Sequence, residues 1–177
     1  MFIDLLRSRR SIRQFLGRPV EAEKVDLLVE AALRSPSSRG CNPWEFVVVT
    51  DPEIIDRLSH AKPHGAAFLA KAPLAIVVCA DPQKSDVWVE DASIAAIILH
   101  LGASDLGLGS CWIQLRKRDH DQTQSAGEYA AEVVGLPPGM VVSAIMAIGY
   151  AAQHPTPHPL ESLQREKVSL NRHGNKL

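Results

Sequence analysis

The length, composition and charge of the chain are those of one globular domain of ordinary size. It has 177 residues, of which 46% are hydrophobic, and 19 basic residues nearly balance 20 acidic ones, leaving a formal net charge of −1. A chain of this size can bury most of its apolar surface in a single core. A near-neutral charge argues against a general polyanion-binding protein, which needs a broad basic face.

Secretion and membrane insertion are not predicted either. The apolar run at residues 1–6 is too short for a signal peptide and is interrupted by Asp4. The longest mostly apolar stretch, residues 92–103, has too few residues to cross a bilayer. The three cysteines are widely spaced and form no CxxC pattern, which favours reduced thiols. We therefore expect a cytoplasmic protein.

Four segments have the patterns of helices. Apolar residues recur at helical spacing between Val20 and Leu33, and Asp51-Pro52 supplies a cap and a first-turn proline for a short helix. The segment from Asp86 to Leu106 is apolar nearly all round in its later turns, so it needs cover on every side. Residues 125–128 form a capping box for a helix that ends at Gly135.

Four β-branched or apolar runs predict strands, at residues 45–50, 74–80, 109–115 and 141–149. This pattern indicates a mixed helix-and-strand layer fold and does not fix whether the strands are parallel. Three prolines fall within the first ten residues of the segment 151–177. We expect a single domain over residues 1–177, with 151–177 as an extended carboxyl-terminal tail.

Several common catalytic motifs are missing from the sequence. Residues 107–112 lack the third glycine of a dinucleotide-binding turn, and a nearby P-loop spacing has leucine in place of lysine. The two histidines of segment 60–64 are separated by a proline, so a solvated pair is a better interpretation than a metal site. Cys79 and His100 lie in apolar runs, which is typical of core residues.

The segment RSRRSIRQF, residues 7–15, concentrates four arginines. Arginine offers permanently charged, bidentate recognition of phosphate oxygens, and Ser11 adds a hydroxyl donor. Arg9, Ser11 and Arg13 alternate, so an extended segment would direct all three the same way while Arg10 points elsewhere. On this segment alone, a compact anion site is as well supported as a solvated basic helix end or a stripe that meets RNA or acidic lipid.

A second polar segment, SPSSRGCNPWEF at residues 35–46, is richer than a plain helix-to-strand loop needs. It offers serine hydroxyls, a glycine that lets the backbone approach a ligand, and Asn42 with both a donor and an acceptor. Together with RRSIRQF at 9–15 and DASIAAIILHLGASDLGLGSCWIQL at 91–115, this segment resembles the FMN-dependent nitroreductases. The resemblance extends from about Leu5 to Tyr150.

The resemblance implies an α+β flavoprotein with a central, mainly antiparallel sheet flanked by helices. It implies an intertwined homodimer with FMN at the subunit interface, and no nucleic-acid or membrane partner. The implied activity is that of an NAD(P)H-dependent flavin oxidoreductase. Hydride would pass from NADH or NADPH, via flavin N5, to a small electrophilic acceptor such as a nitroaromatic or a quinone, with ping-pong kinetics. Because the cofactor carries this chemistry, neither a catalytic side chain nor a metal is expected.

The resemblance also assigns residues to the flavin by the part of the cofactor that they would meet. The ribityl phosphate and the pyrimidine edge would be bound by Arg9, Arg10, Ser11 and Arg13. The partner subunit would contribute Pro36, Ser37, Ser38 and Asn42. The ring near N5 would be lined by Trp112, Ile113 and Gln114. A basic tail residue would meet the phosphate, with Lys167 and Arg172 the nearest candidates.

Two places depart from the family pattern. Many members have asparagine at the position of Gly40 and glutamine at that of Asn42, so loop contacts to the flavin would be shorter or mediated by water. Members commonly carry a basic pair where this chain has Gln153-His154.

Other functions stay open at this point. One is a different flavin reaction on the same scaffold, such as dehalogenation, flavin destruction or enone reduction. Others are a non-enzymatic FMN or nucleotide-anion binding module, and an RNA-binding protein. The apolar helix at 92–103 favours a homodimer over a well-filled monomer, because a second subunit would cover it.

Overall fold

A four-stranded antiparallel sheet lies at the centre of the fold. The computed structural model describes residues 1–176, and within them it contains five α-helices and four strands. The helices are α1 (Phe2–Ser8), α2 (Ala22–Leu33), α3 (Pro52–Ser59), α4 (Trp88–Asp105) and α5 (Ala126–Val134). The strands are β1 (Trp44–Val49), β2 (Leu74–Ala80), β3 (Gly109–Gln114) and β4 (Val141–Gly149).

The strand order is β1-β2-β4-β3, and each neighbouring pair is antiparallel. The two central strands are the most apolar segments of the chain, and β2 is buried along its whole length. A strand that is covered on both faces has this continuous apolar composition. The predicted α+β class, with an antiparallel sheet flanked by helices, is confirmed, and the strand direction that the pattern left open is now fixed.

Helices cover both faces of the sheet. On one face, α2 and α4 pack through Leu28 and Leu99 against apolar residues of β2 and β4. On the other face, α3, α5 and a short 3-10 helix at Ala67–Lys71 form a second buried cluster. The predicted helices and strands are found within a few residues of their expected ends.

Local capping explains where α3 begins and where α5 begins and ends. Asp51 accepts hydrogen bonds from two backbone amides of the first turn of α3. Ser125 and Glu128 form the complete capping box of α5, and Gly135 ends that helix in the left-handed conformation with φ of 68°. The short helix α1 was not predicted, because none of its residues is buried and it therefore has no core-facing stripe.

The segment that follows α1 crosses the ends of two strands. The Ile12 amide donates to Ser110 O at 2.9 Å, and the Leu16 amide donates to Tyr150 O at 2.8 Å. Ile12 and Phe15 are buried on the α3 and α5 side of the sheet. These contacts fix residues 9–15 against β3, so the polar residues of the segment are placed along one edge of the sheet.

Glycines in the strands make this crossing possible. A Cβ atom at Gly109 would lie 2.8 Å from the Ile12 side chain, closer than real Cβ contacts. A Cβ atom at Gly149 would lie 2.5 Å from Pro73 and 3.2 Å from Phe15. Both positions therefore need a residue without a side chain.

The tail leaves the sheet after β4 and is open to solvent. Residues 156–176 are all exposed, and they contain two short 3-10 helices, at Leu160–Ser162 and Arg165–Lys167. Leu160 and Leu163 are among the exposed apolar side chains of this segment. Among the residues described, no helix is both long enough and apolar enough to span a membrane.

The close packing around Gly149 gives a prediction on stability. Gly149→Ala should lower the free energy of unfolding by about 1–3 kcal/mol, because the added methyl group overlaps a rigid proline ring. Gly17→Ala is the matched control, since no atom lies within 4 Å of its added Cβ. Urea denaturation followed by circular dichroism measures both. Equal stability of the two variants would contradict the packing described here.

Candidate functional site

A cleft of about 540 Å³ lies where α1, α4, the start of β3 and the tail meet. Arg9 and Arg10 line one side, and His100 of α4 lines another. The segment 154–157 closes the side towards the tail. No aspartate or glutamate of the described chain lines it, so its charge is positive.

Arg9 is the unusual residue of this cleft. Its Nε atom is buried and has no hydrogen-bond partner in residues 1–176, and no carboxylate there forms an ion pair with it. A buried donor without a partner is costly, the more so on a charged side chain. The donor set therefore fits an anionic ligand, and this is the test that a phosphate-bearing cofactor must pass here.

Arg10 lies in the same cleft but is partly engaged. Its Nη1 atom donates a hydrogen bond to the carbonyl oxygen of Thr156. This contact holds the start of the tail at the rim of the cleft. Arg9 is extended at the end of α1, and both arginines line this cleft, while the opposite direction expected for the Arg10 side chain stays a prediction.

Ser11 and Arg13 lie beside β3, near Cys111. Burial raises the pKa of the Cys111 thiol, while the positive charges of Arg13 and Lys62 and a hydrogen bond with Ser11 act in the opposite direction. The guanidinium of Arg13 lies 5.9 Å from the ring centroid of Phe68. The arginine-rich segment therefore wraps the edge strand β3, with one pair of residues in the cleft and the other on the far side.

Sequence reasoning did not find Lys62. Its Nζ atom donates to Gln114 O at 3.0 Å, and desolvation, followed by the charge of Arg118, lowers its pKa. It comes from the loop after α3, about 50 residues away in sequence. No local pattern marks it, because its placement depends on how the loop packs on β3.

The three predicted residues of β3 are divided between its two faces. Trp112 Nε1 donates to Gln114 Oε1 at 2.8 Å, so these half-buried side chains form one polar pair. The side-chain Nε2 atom of Gln114 in turn donates to Arg116 O at 2.9 Å. Ile113 is buried in the opposite cluster and offers only its backbone to a ligand at the edge.

The loop that contains the second predicted group is rigidly built. The Asn42 amide donates to Ser37 Oγ at 2.9 Å, and the Ser37 hydroxyl donates to Asn42 Oδ1 at 2.7 Å. The Ser38 amide donates to the buried Asp91 carboxylate of α4 at 2.8 Å. Pro36, which precedes these residues, is exposed.

Within the described part of one chain, neither this loop nor the two predicted basic residues of the tail form side-chain hydrogen bonds or ion pairs with the arginine-rich side of the cleft. In the part of the chain that is described, no side-chain hydrogen bond or ion pair links Ser37, Ser38 or Asn42 to residues 9–13. Lys167 and Arg172 are likewise exposed in the tail, with no such bond to the cleft. Their assignment to the flavin stays a prediction.

The chain is similar to members of one known protein family. The family model of the nitroreductase family matches residues 6–63 and 59–150. A relative in Archaeoglobus fulgidus, whose provisional name is NADH dehydrogenase/NAD(P)H nitroreductase, is 35% identical over 152 residues, which are 84% of each chain. An iodotyrosine deiodinase of Haliscomenobacter hydrossis is 26% identical over 168 residues, covering 93% of this chain and 70% of its own.

A solved structure agrees over nearly the whole chain. The FMN-dependent nitroreductase from Clostridium difficile R20291 is 45% identical, with a TM-score of 0.94, and the match covers 96% of this chain and 99% of that one. The matched residues include the arginine-rich segment, the polar loop and all four strands. The family resemblance seen in the sequence is thereby confirmed, and the chain belongs to the nitroreductase family.

Proposed function

We propose that the protein is an FMN-dependent oxidoreductase that uses NADH or NADPH to reduce a small electrophilic acceptor. The observation that carries the proposal is the buried, unpartnered Nε of Arg9 in a cleft without carboxylates, next to the edge of β3. When bound, FMN supplies the hydride chemistry between nicotinamide and acceptor. The protein's task is then to hold the cofactor and to set the charges around it.

The arginine-rich segment supplies the binding charge. Arg9 offers a guanidinium whose donor is desolvated and free to meet phosphate oxygens. Arg10 donates one hydrogen bond to Thr156 O, which secures the tail, and its other N–H donors remain for the phosphate. Ser11 adds a hydroxyl at the point where the segment pairs with Ser110 of β3.

A second group of charges lies further along β3. Arg13 and Lys62 both act on the Cys111 thiol, and neither forms an ion pair with a carboxylate of residues 1–176. Fixed positive charge of this kind stabilises negative charge that develops on a bound ligand. We propose that these two residues face the pyrimidine edge of the flavin, and that Trp112 and Gln114 border its ring.

We also propose that the active form is a homodimer. The outer face of α4 exposes Ile94 and Ile97, and the tail exposes Leu160 and Leu163. These surfaces are apolar, and a second copy of the chain would cover them. In such a dimer the loop at 36–42 would approach the flavin of the partner subunit, and Lys167 or Arg172 would reach its phosphate.

Reductive dehalogenation is the second candidate. It is favoured by the similarity to an iodotyrosine deiodinase, which extends over 93% of this chain. One anaerobic assay distinguishes the two activities. It compares the rate at which a nitroaromatic is consumed with the rate at which iodide is released from an iodinated phenol. Faster release of iodide would favour dehalogenation over nitro or quinone reduction.

One prediction of this proposal concerns the cofactor and its reduction. The purified protein should show a flavin spectrum, and either NADH or NADPH should bleach it under anaerobic conditions. The double substitution Arg9→Ala with Arg13→Ala should yield a folded, colourless protein, because it removes charge at both ends of the segment.

The matched control is Arg34→Ala with Arg57→Ala, two exposed arginines that do not line the cleft and that lie at the carboxyl-terminal cap of α2 and within α3. This variant should keep its colour. Full flavin content in the Arg9 and Arg13 variant would refute the assignment of these residues. Bound flavin that neither nicotinamide reduces would instead indicate a non-enzymatic binding module.

Another prediction of this proposal concerns the subunit contact. Ile97→Lys should convert the dimer to a monomer and release the flavin, because it places a charge in an apolar interface. Val48→Lys on β1 is a control of similar exposure, 38% against 42% for Ile97. Light scattering coupled to size-exclusion chromatography gives the mass of each variant. A wild-type monomer that retains flavin would overturn the dimer proposal.

A further inference from the structure

We propose that His100 and Ser110 complete a binding site for a phosphate monoester in the cleft beside Arg9. The inference rests on the proposed function, because it takes the phosphate to be that of FMN. It adds two residues that the family resemblance does not assign. The apolar run around His100 is typical of a core residue, and no sequence pattern assigns a role to Ser110.

The lining of the cleft matches the chemistry of a phosphate group. Arg9 and Arg10 supply permanent positive charge, and hydroxyls come from Ser8, Ser104 and Thr156. No described acidic residue borders the cleft. A compact anion with several acceptor oxygens is the ligand that uses such a set of donors.

His100 is held in the wall of the cleft by Ser110. It is 7% exposed, and its Nδ1 atom is hydrogen-bonded to Ser110 Oγ. Burial, and then the charge of Arg9, lowers its pKa to about 4, so the ring is neutral at pH 7. A neutral ring beside Arg9 adds a polar group without adding charge repulsion.

The position of the ring proton is part of the proposal. Ser110 Oγ lies within hydrogen-bond distance of His100 Nδ1 and, at 3.4 Å, of the His100 carbonyl oxygen. We assign the hydroxyl proton to the contact with Nδ1, which places the ring proton on Nε2. His100 lines the cleft, and no hydrogen bond to its Nε2 atom is found within residues 1–176. Nε2 is thus a second donor, beside Arg9 Nε, available to an anion in the cleft.

The test compares two flavins that differ only in the phosphate. The full chain, freed of bound flavin, is titrated with FMN and with riboflavin, and quenching of flavin fluorescence gives each Kd. His100→Leu should raise the Kd for FMN about tenfold, the usual worth of a hydrogen bond to a charged group, and should change the Kd for riboflavin by less than about twofold.

Two further variants keep the test sharp. His100→Asn retains an amide where Nδ1 meets Ser110 and removes Nε2, so it should lose FMN affinity as His100→Leu does while keeping the packing. His64→Leu replaces an exposed histidine outside the cleft and should change neither Kd. Equal loss of FMN and riboflavin affinity in both His100 variants, or unchanged FMN affinity in His100→Asn, would overturn the inference.

Inorganic phosphate separates this inference from the proposed function. If the wild type binds no flavin, the proposed function is wrong, and the melting temperature in phosphate still reports on the cleft. Stabilisation of the wild type but not of His100→Asn would then support a free-phosphate site. Equal shifts in the two proteins would refute the site whatever the protein's activity.

Discussion

The close fit of residues 9–15 over the ends of β3 and β4 is the constraint on which the rest of the site depends. Backbone hydrogen bonds join Ile12 to Ser110 and the following residue, Leu16, to Tyr150, and Ile12 and Phe15 anchor the segment in the core. The fit leaves no room for side chains at Gly109 and Gly149. Because apolar residues hold the segment in place, its arginine side chains are not needed for core packing.

Within this short segment the apolar residues provide the packing and the arginines provide the charge. This explains how a chain of nearly neutral net charge contains a cationic site. The overall formal charge of the chain is −1. Three basic residues lie around β3, namely Arg9, Arg13 and Lys62, and none of them forms an ion pair with a carboxylate in the described structure. Exposed arginines elsewhere, such as Arg18 and Arg34, do form ion pairs with neighbouring glutamates. The site is positive because acids are excluded from it, and not because the protein is basic.

Much of the fold could be read from local signals, and much of the site could not. Strand runs such as 74–80 and the capping box at Ser125 depend on neighbouring residues, so their patterns survive in the sequence. The direction of Arg10 and the position of Lys62 depend on contacts with Thr156 and Gln114, which are remote in sequence. The family resemblance singles out three segments, but it does not indicate on which side of β3 each of their residues lies.

Helix α4 contributes to three features at once. Asp91 near its start fixes the polar loop, Ile97 lies on its outer apolar face, and His100 borders the cleft lined by Arg9 and Arg10. A helix moves as a rigid rod, so a shift that accommodates a new residue at one of these positions is transmitted to the other two. Evolutionary drift at positions 91, 97 and 100 should therefore be correlated among relatives, with changes appearing together rather than singly.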